Sequence, residues 1–343
     1  MIDVGLLGVA SYLPERVVSN AAFAPDTAAR RGMFTAPAER RHVSADESAA
    51  ELIERAARRL IAEQGLEPAR DIDILLTNVA VPDEAFTGCG AEVARRLGCR
   101  PRWVLDLHNS GCVSFIYMLA LARALLGQSD GNGALLCNVQ NAGGRVFAQP
   151  GLRLKPHAPV PGDGAGVSYL ARGRGAPLLG LELLCQPEFA SDMQARAADG
   201  RRYWEPGMTP LDLTFDEARV AAIISRGNQV VPRVLATACA RAGVRPRDLD
   251  LLITNQPNPI FLRNWREALE LPAERHHDTF ARYGNLFGAA LPINLEDALA
   301  QGKLRPSGLL GLAGFAHAGD YAAAAVLRWP GAEPTARDAE GSA

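Results

Sequence analysis

The stretch Trp103–Leu126, WVLDLHNSGCVSFIYMLALARALL, decides how the rest of the chain is read. Trp103, Val104, Leu105 and Leu107 make a short β-prone run, and Phe115, Met118, Leu119, Ala122, Leu125 and Leu126 recur at the three-and-four spacing of a helix. The polar break His108-Asn109-Ser110-Gly111 supplies cap-type residues between them, so the spacing predicts Cys112 in or beside the first helical turn. Backbone N–H groups and the helix dipole favour a thiolate there and offer donors for an oxyanion. A cysteine so placed suits a thioester-forming nucleophile; a cysteine without such context is most often a small buried hydrophobe.

At 343 residues the chain has the length for two domain-sized units or one large α/β body of two halves. A formal net charge of −2 with 48% hydrophobic residues excludes the strongly basic balance of a nucleic-acid binder or an anionic-membrane partner. No stretch reaches the roughly 18 apolar residues of a membrane span, and the first twenty residues lack a basic segment ahead of an apolar core. The expected location is the cytoplasm. The six cysteines (89, 99, 112, 137, 185 and 239) show no CxxC pairing, so neither a zinc site nor a disulfide framework is indicated. No metal ligand set and no tightly bound cofactor is expected.

Outward from the Cys112 unit, strand and helix signals alternate, which predicts a mostly parallel sheet covered by helices. Residues 3–10 read as a first strand and 22–44 as a surface loop with a short helix. Asp46–Gln64 reads as an amphipathic helix capped by Ser44 or Asp46 and closed by Gly65. Ile72–Val79 reads as a strand, followed by a helix through Arg96 and, after the Cys112 unit, a strand over 133–139. Pro161–Leu170 carries GDGAG running into a strand; with no GK[ST] following, a packing turn is expected in place of a phosphate loop. Residues 185–215 read as irregular, a candidate lid between halves. Then the pattern restarts: a helix over 216–242, and PRDLDLLITN at 246–255 echoing ARDIDILLTN at 69–78. Arg263–Leu271 and Ala289–Gln301 read as helices, 308–313 and a run ending at Trp329 as strands. The expected division is an N-terminal half 1–175, a connecting segment 176–215, a C-terminal half 216–330 and a frayed tail 331–343.

Several marks in this order resemble the ketoacyl-ACP synthase III family of the thiolase-like superfamily, over about residues 3–329. They are SYLPERVVSN near the N-terminus, Phe86 ahead of a helix, the cysteine in NSGCVSF, GDGAG, NQPNPI at 255–260, YGN at 283–285 followed by AALP, and a Gly-rich loop before LRW. The resemblance implies an α/β, thiolase-like five-layered αβαβα fold from two duplicated halves, usually a homodimer, with Cys112 attacking an acyl thioester. It also implies a phosphopantetheine or CoA thioester as substrate and an acyl carrier protein as partner. Phe86 is expected to cap the partner subunit's acyl pocket, and Met118 and Phe287 to line a pocket with bulky groups.

Two catalytic positions differ in how well they match. The family's H-Q-x-N histidine corresponds to Asn255, whereas its second active-site amide survives as Asn285. An amide takes up no proton at neutral pH, so base catalysis from position 255 is lost. His317, with Asp320 three residues on, lies where relatives carry a run of glycines and is the leading replacement; His108 is the second. His276 and His277 fall in a charged stretch expected to be exposed, and His157 in a Pro-rich loop, so none of these three is chosen. Met33-Phe34-Thr35 and Pro259-Ile260 lack the residues that clamp the adenine of CoA in acetyl-CoA-using relatives, which favours a carrier-bound donor. Arg40, Arg41, Arg145 and Arg153 are candidates for an acidic carrier surface.

These features lead to an atypical acyltransferase, of secondary metabolism, passing an acyl group from Cys112 to a small-molecule acceptor. The alternatives are a carbon–carbon condensing enzyme with a rebuilt site and a non-catalytic subunit of a heterodimer.

Overall fold

The computed structural model describes residues 3–108, 110–197, 199–215 and 219–330. The expected tail 331–343 and the predicted helix start at 216–218 lie outside the described residues. In the first half, β1 (Val4–Tyr12) is followed by the short antiparallel pair β2 (Val17–Ser19) and β3 (Glu39–Arg41). Then come α1 (Ala49–Gln64), the single turn α2 (Pro68–Asp71), β4 (Ile74–Val79), α3 (Gly90–Leu97), β5 (Trp103–Asp106), α4 (Ser114–Gly127), β6 (Gly133–Gln140) and β7 (Gly164–Arg172). Strand order β1-β7-β6-β4-β5 makes a five-stranded sheet in which β4, β5 and β6 run parallel.

The second half repeats this arrangement. β8 (Ala176–Cys185) leads into the hairpin β9 (Met193–Ala197) and β10 (Leu211–Phe215). There follow α5 (Val220–Arg241), β11 (Leu251–Thr254), α6 (Pro259–Ala268), β12 (His276–His277), the turn α7 (Phe280–Tyr283), α8 (Ala290–Ala300), β13 (Leu309–Ala316) and β14 (Tyr321–Arg328). The order β8-β14-β13-β11-β12 has the same pattern of parallel and antiparallel neighbours as the first sheet. The two sequence echoes land on β4 and β11, which hold equivalent places. A two-residue contact, Gly5 with Pro177 and Leu6 with Ala176, joins the sheets.

Burial divides the core into layers. Leu52, Ile53, Ala56 and Leu60 of α1 and Val93 of α3 pack outside the first sheet, and Val231, Leu235 and Ala238 of α5 with Trp265 of α6 pack outside the second. Between the sheets lie Phe115, Met118, Leu119 and Leu126 of α4 and Leu291, Leu295 and Ala298 of α8. Each such aliphatic side chain contributes ~1.5–3 kcal/mol. The result is the expected five-layered αβαβα body, and no helix among the described residues is long and apolar enough to cross a membrane.

Boundaries differ from expectation where local hydrogen bonds compete. α1 begins at Ala49 with Ser48 as its cap, Oγ accepting from Glu51 N at 3.1 Å; Ser44 N donates instead to Glu47 Oε2 at 2.7 Å in a preceding turn. α6 begins four residues early because Asn258 Oδ1 accepts from Ile260 N and Phe261 N, with Pro259 at the first helical position. The 185–215 segment is less irregular than expected, since β9 and β10 pair across it.

Candidate active site

Cys112 sits on a tight 3-10 turn, Gly111–Val113, that leads directly into α4. The turn is strained: Ser110 has φ 61° and Gly111 φ 32°, and two facing residues, Phe287 (φ 43°) and His317 (φ 51°), are also left-handed. Such conformations persist only where surrounding structure dictates them, and here four converge on one turn. Ser114 Oγ donates to Asn78 Oδ1 at 3.0 Å and accepts from Asn138 Nδ2 at 2.8 Å, tying the start of α4 to β4 and β6.

β13 runs along this turn. A methyl group on Gly111 would come within 2.9 Å of His317 Nε2 and 3.5 Å of Ala316 Cβ, so the absent side chain is what lets the imidazole approach the residue preceding Cys112. His317 opens the four-residue turn between β13 and β14, and its Nδ1 lies 3.0 and 3.2 Å from the two carboxylate oxygens of the buried Asp320. A carboxylate on that nitrogen fixes N–H there and leaves Nε2 as the basic atom of the neutral ring. The ring meets Tyr321 edge-on, with centroids 5.9 Å apart.

Asn255 is buried at the end of β11 and is held at both ends of its amide: Nδ2 donates to Phe315 O at 3.0 Å and Oδ1 accepts from Phe315 N at 3.3 Å. It also hydrogen-bonds the Cys112 sulfur. A side chain at position 314 would collide with it, a Cβ there lying 2.6 Å from Asn255 Oδ1. The amide therefore serves as a fixed donor to the sulfur.

Cys112 has partial surface exposure, yet its sulfur is deeply enclosed by protein atoms, and this burial pushes the thiol up to about 12. The Asn255 hydrogen bond and the residue's own backbone N–H pull it down, and the Asp320 charge pushes it further up. Enclosure of the sulfur therefore opposes the thiolate that the backbone N–H groups at the helix start favour. The Cys112 N–H is directed at the residue's own sulfur.

Asn285 is buried, its Oδ1 accepting from Phe287 N at 3.1 Å, and its loop reaches the Cys112 turn through Gly288, where a Cβ would lie 2.9 Å from Gly111 O. Phe287 packs beside Phe147 and Ala158. Met118 is fully covered in the layer between the sheets. His108 is exposed on the strand side of the turn, and Phe86 is wholly exposed, touching nothing that covers it.

Several sequence expectations fail here. His276 and His277 are buried although β12 is the edge strand of the second sheet, paired with β11; His276 Nε2 lies 2.9 Å from Thr254 Oγ1, and His277 Nε2 2.7 Å from Asp297 Oδ2. Arg40 is fully buried, giving hydrogen bonds to Val18 O, Asn20 Oδ1 and Pro37 O, so it meets no carrier. Arg41 is turned onto Pro14 O and Glu15 O, and Arg145 is engaged by Asp83 and Glu47 O. Arg153 alone of the four is exposed. The sequence reading missed the clamp on the 317–320 turn from Gln186 and Arg226, which no motif signals.

Known proteins carry the same framework. Residues 239–329 match the family model for the 3-oxoacyl-[acyl-carrier-protein (ACP)] synthase III C terminal. A beta-ketoacyl-[acyl-carrier-protein] synthase III of Pseudomonas aeruginosa is 30% identical over 335 residues, spanning 96% of this chain and 97% of that protein. One from Bacillus pumilus is 26% identical, spanning 96% and 99%. The solved synthase III of Thermus thermophilus superposes with a TM-score of 0.82 at 27% identity, over 96% of this chain and all of that one. With the duplicated halves, the cysteine at the head of α4 and these matches along nearly its whole length, the chain belongs to the beta-ketoacyl-[acyl-carrier-protein] synthase III family.

Proposed function

We propose that this chain is an acyltransferase in which Cys112 is acylated by a thioester and His317 moves the protons. The observation that carries this reading is the pairing of His317 with Asp320 against the Cys112 turn, while the amide at position 255 is pinned by Phe315. His317 Nε2 takes the Cys112 proton, the sulfur attacks the thioester carbonyl, and the departing pantetheine thiolate takes the proton back. A hydroxyl or amine of a small-molecule acceptor then gives its proton to Nε2, attacks the Cys112 acyl carbon and expels the cysteine thiolate, which is reprotonated by the imidazolium. Cys112 N–H and the Asn255 amide lie where negative charge gathers. No tightly bound cofactor enters either step.

We assign the donor to an acyl carrier protein over free CoA. In support, Asn258 Nδ2 donates to Met33 O, and neither Met33 nor Ile260 carries a charge or a ring to hold an adenine. Nearby, Arg31, Arg153 and Lys155 are exposed, and Arg30 ties these segments together by donating to Lys155 O. The acting unit in this reading is a cytoplasmic homodimer of secondary metabolism. Phe86 projects toward the partner's acyl pocket, the edge strand β5 lies uncovered beside it, and 1–175 and 216–330 are the functional halves, the second taking β8 from the connecting segment into its sheet. Arg153→Glu with Lys155→Glu tests the donor: acylation by carrier thioesters is expected to fall at least ~10-fold with acyl-CoA acylation unchanged. An equal response of both donors rules out the carrier assignment.

The second reading is carbon–carbon condensation, favoured by the retained Asn285 and by relatives named as ketoacyl synthases. Release of carbon dioxide from a malonyl thioester by the purified protein separates it from simple transfer.

A further inference from the structure

The turn that carries His317 is held from outside by residues of the connector and of α5. Gln186, just beyond β8, clasps it twice: its backbone N donates to Asp320 O at 2.7 Å and its Nε2 to Gly319 O at 2.8 Å. Arg226 of α5 donates to Ala318 O and lies so close under the turn that a Cβ on Gly319, itself at φ 97°, would sit 2.7 Å from Arg226 Cδ. Arg226 is in turn fixed by the buried Asp192, at 3.1 Å, and by the ring of Phe189, whose centroid is 3.2 Å from its Cζ. Three consecutive carbonyls, 318 to 320, are thus occupied. A four-residue hairpin turn has few internal bonds of its own; here one, Gly319 N to Ala316 O, closes it.

We propose that Gln186 and Arg226 are positioning residues: they set the angle of the 317–320 turn so that Asp320 meets Nδ1 and Nε2 meets the Cys112 turn. This rests on His317 being the base, as argued above. Neither residue touches the reacting atoms. Their effect runs through His317, so it vanishes when His317 is absent.

The test is a double-mutant cycle on the rate at which iodoacetamide alkylates Cys112, resolved by peptide mapping because Cys185 is also exposed. His317→Gln is expected to slow alkylation ~100-fold. Arg226→Met is expected to slow it about 10-fold in the native background and less than about 2-fold in His317→Gln. Equal losses in both backgrounds, or none in either, overturn the proposal while leaving His317 as base. A folded His317→Gln protein with native alkylation overturns the base assignment itself, and the positioning role with it. Gln186→Met, which removes a bond at the surface of the connector, runs through the same cycle should Arg226→Met fail to fold, with a loss of about 3-fold confined to the native background expected.

Discussion

His317 Nε2 stands 2.9 Å from the place a Cβ of Gly111 would occupy, so the residue before Cys112 is a glycine on which the imidazole rests. Gly111→Ala is expected to push the ring off the turn and strain a backbone at φ 32°. Acylation of Cys112 should fall at least ~30-fold, measured by intact mass against time, while the thermal midpoint drops only a few degrees. Native acylation rates in Gly111→Ala would show that the approach of His317 is incidental.

Much of this site was legible in the chain, and the limits have physical causes. The echo ARDIDILLTN and PRDLDLLITN marks β4 and β11 because buried parallel strands are written as continuous apolar runs. The turn at Cys112 is legible from a polar break between two periodicities. The enclosure of the Cys112 sulfur was not, because β13, which packs against its turn, lies about 200 residues away in sequence. The buried positions of Arg40, His276 and His277 were hidden for the same reason. Their charged neighbours in sequence are not their neighbours in space.

Asn255 offers a second test. Asn255→Ala leaves Phe315 N and O without partners in a buried strand and removes the amide donor to the sulfur. Stability should fall by about 1–3 kcal/mol in urea unfolding. Acylation should slow by ~10–100-fold, the cost of one donor at a developing charge. A loss of stability with acylation intact would make Asn255 purely structural.

Buried imidazoles give the fold an acid limb. Burial holds His276 down to about 4, with the Arg266 charge adding to it, and burial likewise holds His42 to about 4. A depressed folded value means stability present above the unfolded histidine range and lost as pH falls from about 6.5 through 4. Each group contributes up to about 3 kcal/mol over that window. Asp163 opposes them: burial outweighs three backbone donors and lifts it to about 7, so its contribution is present below the usual aspartate range and lost as pH rises through 7. His276→Gln should flatten the loss of stability between pH 6.5 and 4 by roughly one proton. An unchanged slope contradicts the buried neutral imidazole.

Phe86 is wholly exposed, so Phe86→Ala should leave urea unfolding within ~0.5 kcal/mol. In the dimeric reading it should shift the preferred acyl length when Cys112 is loaded from a series of carrier thioesters. An unaltered length profile would remove Phe86 from the acyl pocket.

The central claim is that acyl groups pass through Cys112, and intact mass spectrometry after incubation with acyl-carrier thioesters tests it most directly. The account predicts a single acyl mass increment on the native protein, absent in Cys112→Ala and discharged by acceptor at least ~100-fold more slowly in His317→Gln. No increment on the native protein, or the same increment in Cys112→Ala, would contradict it.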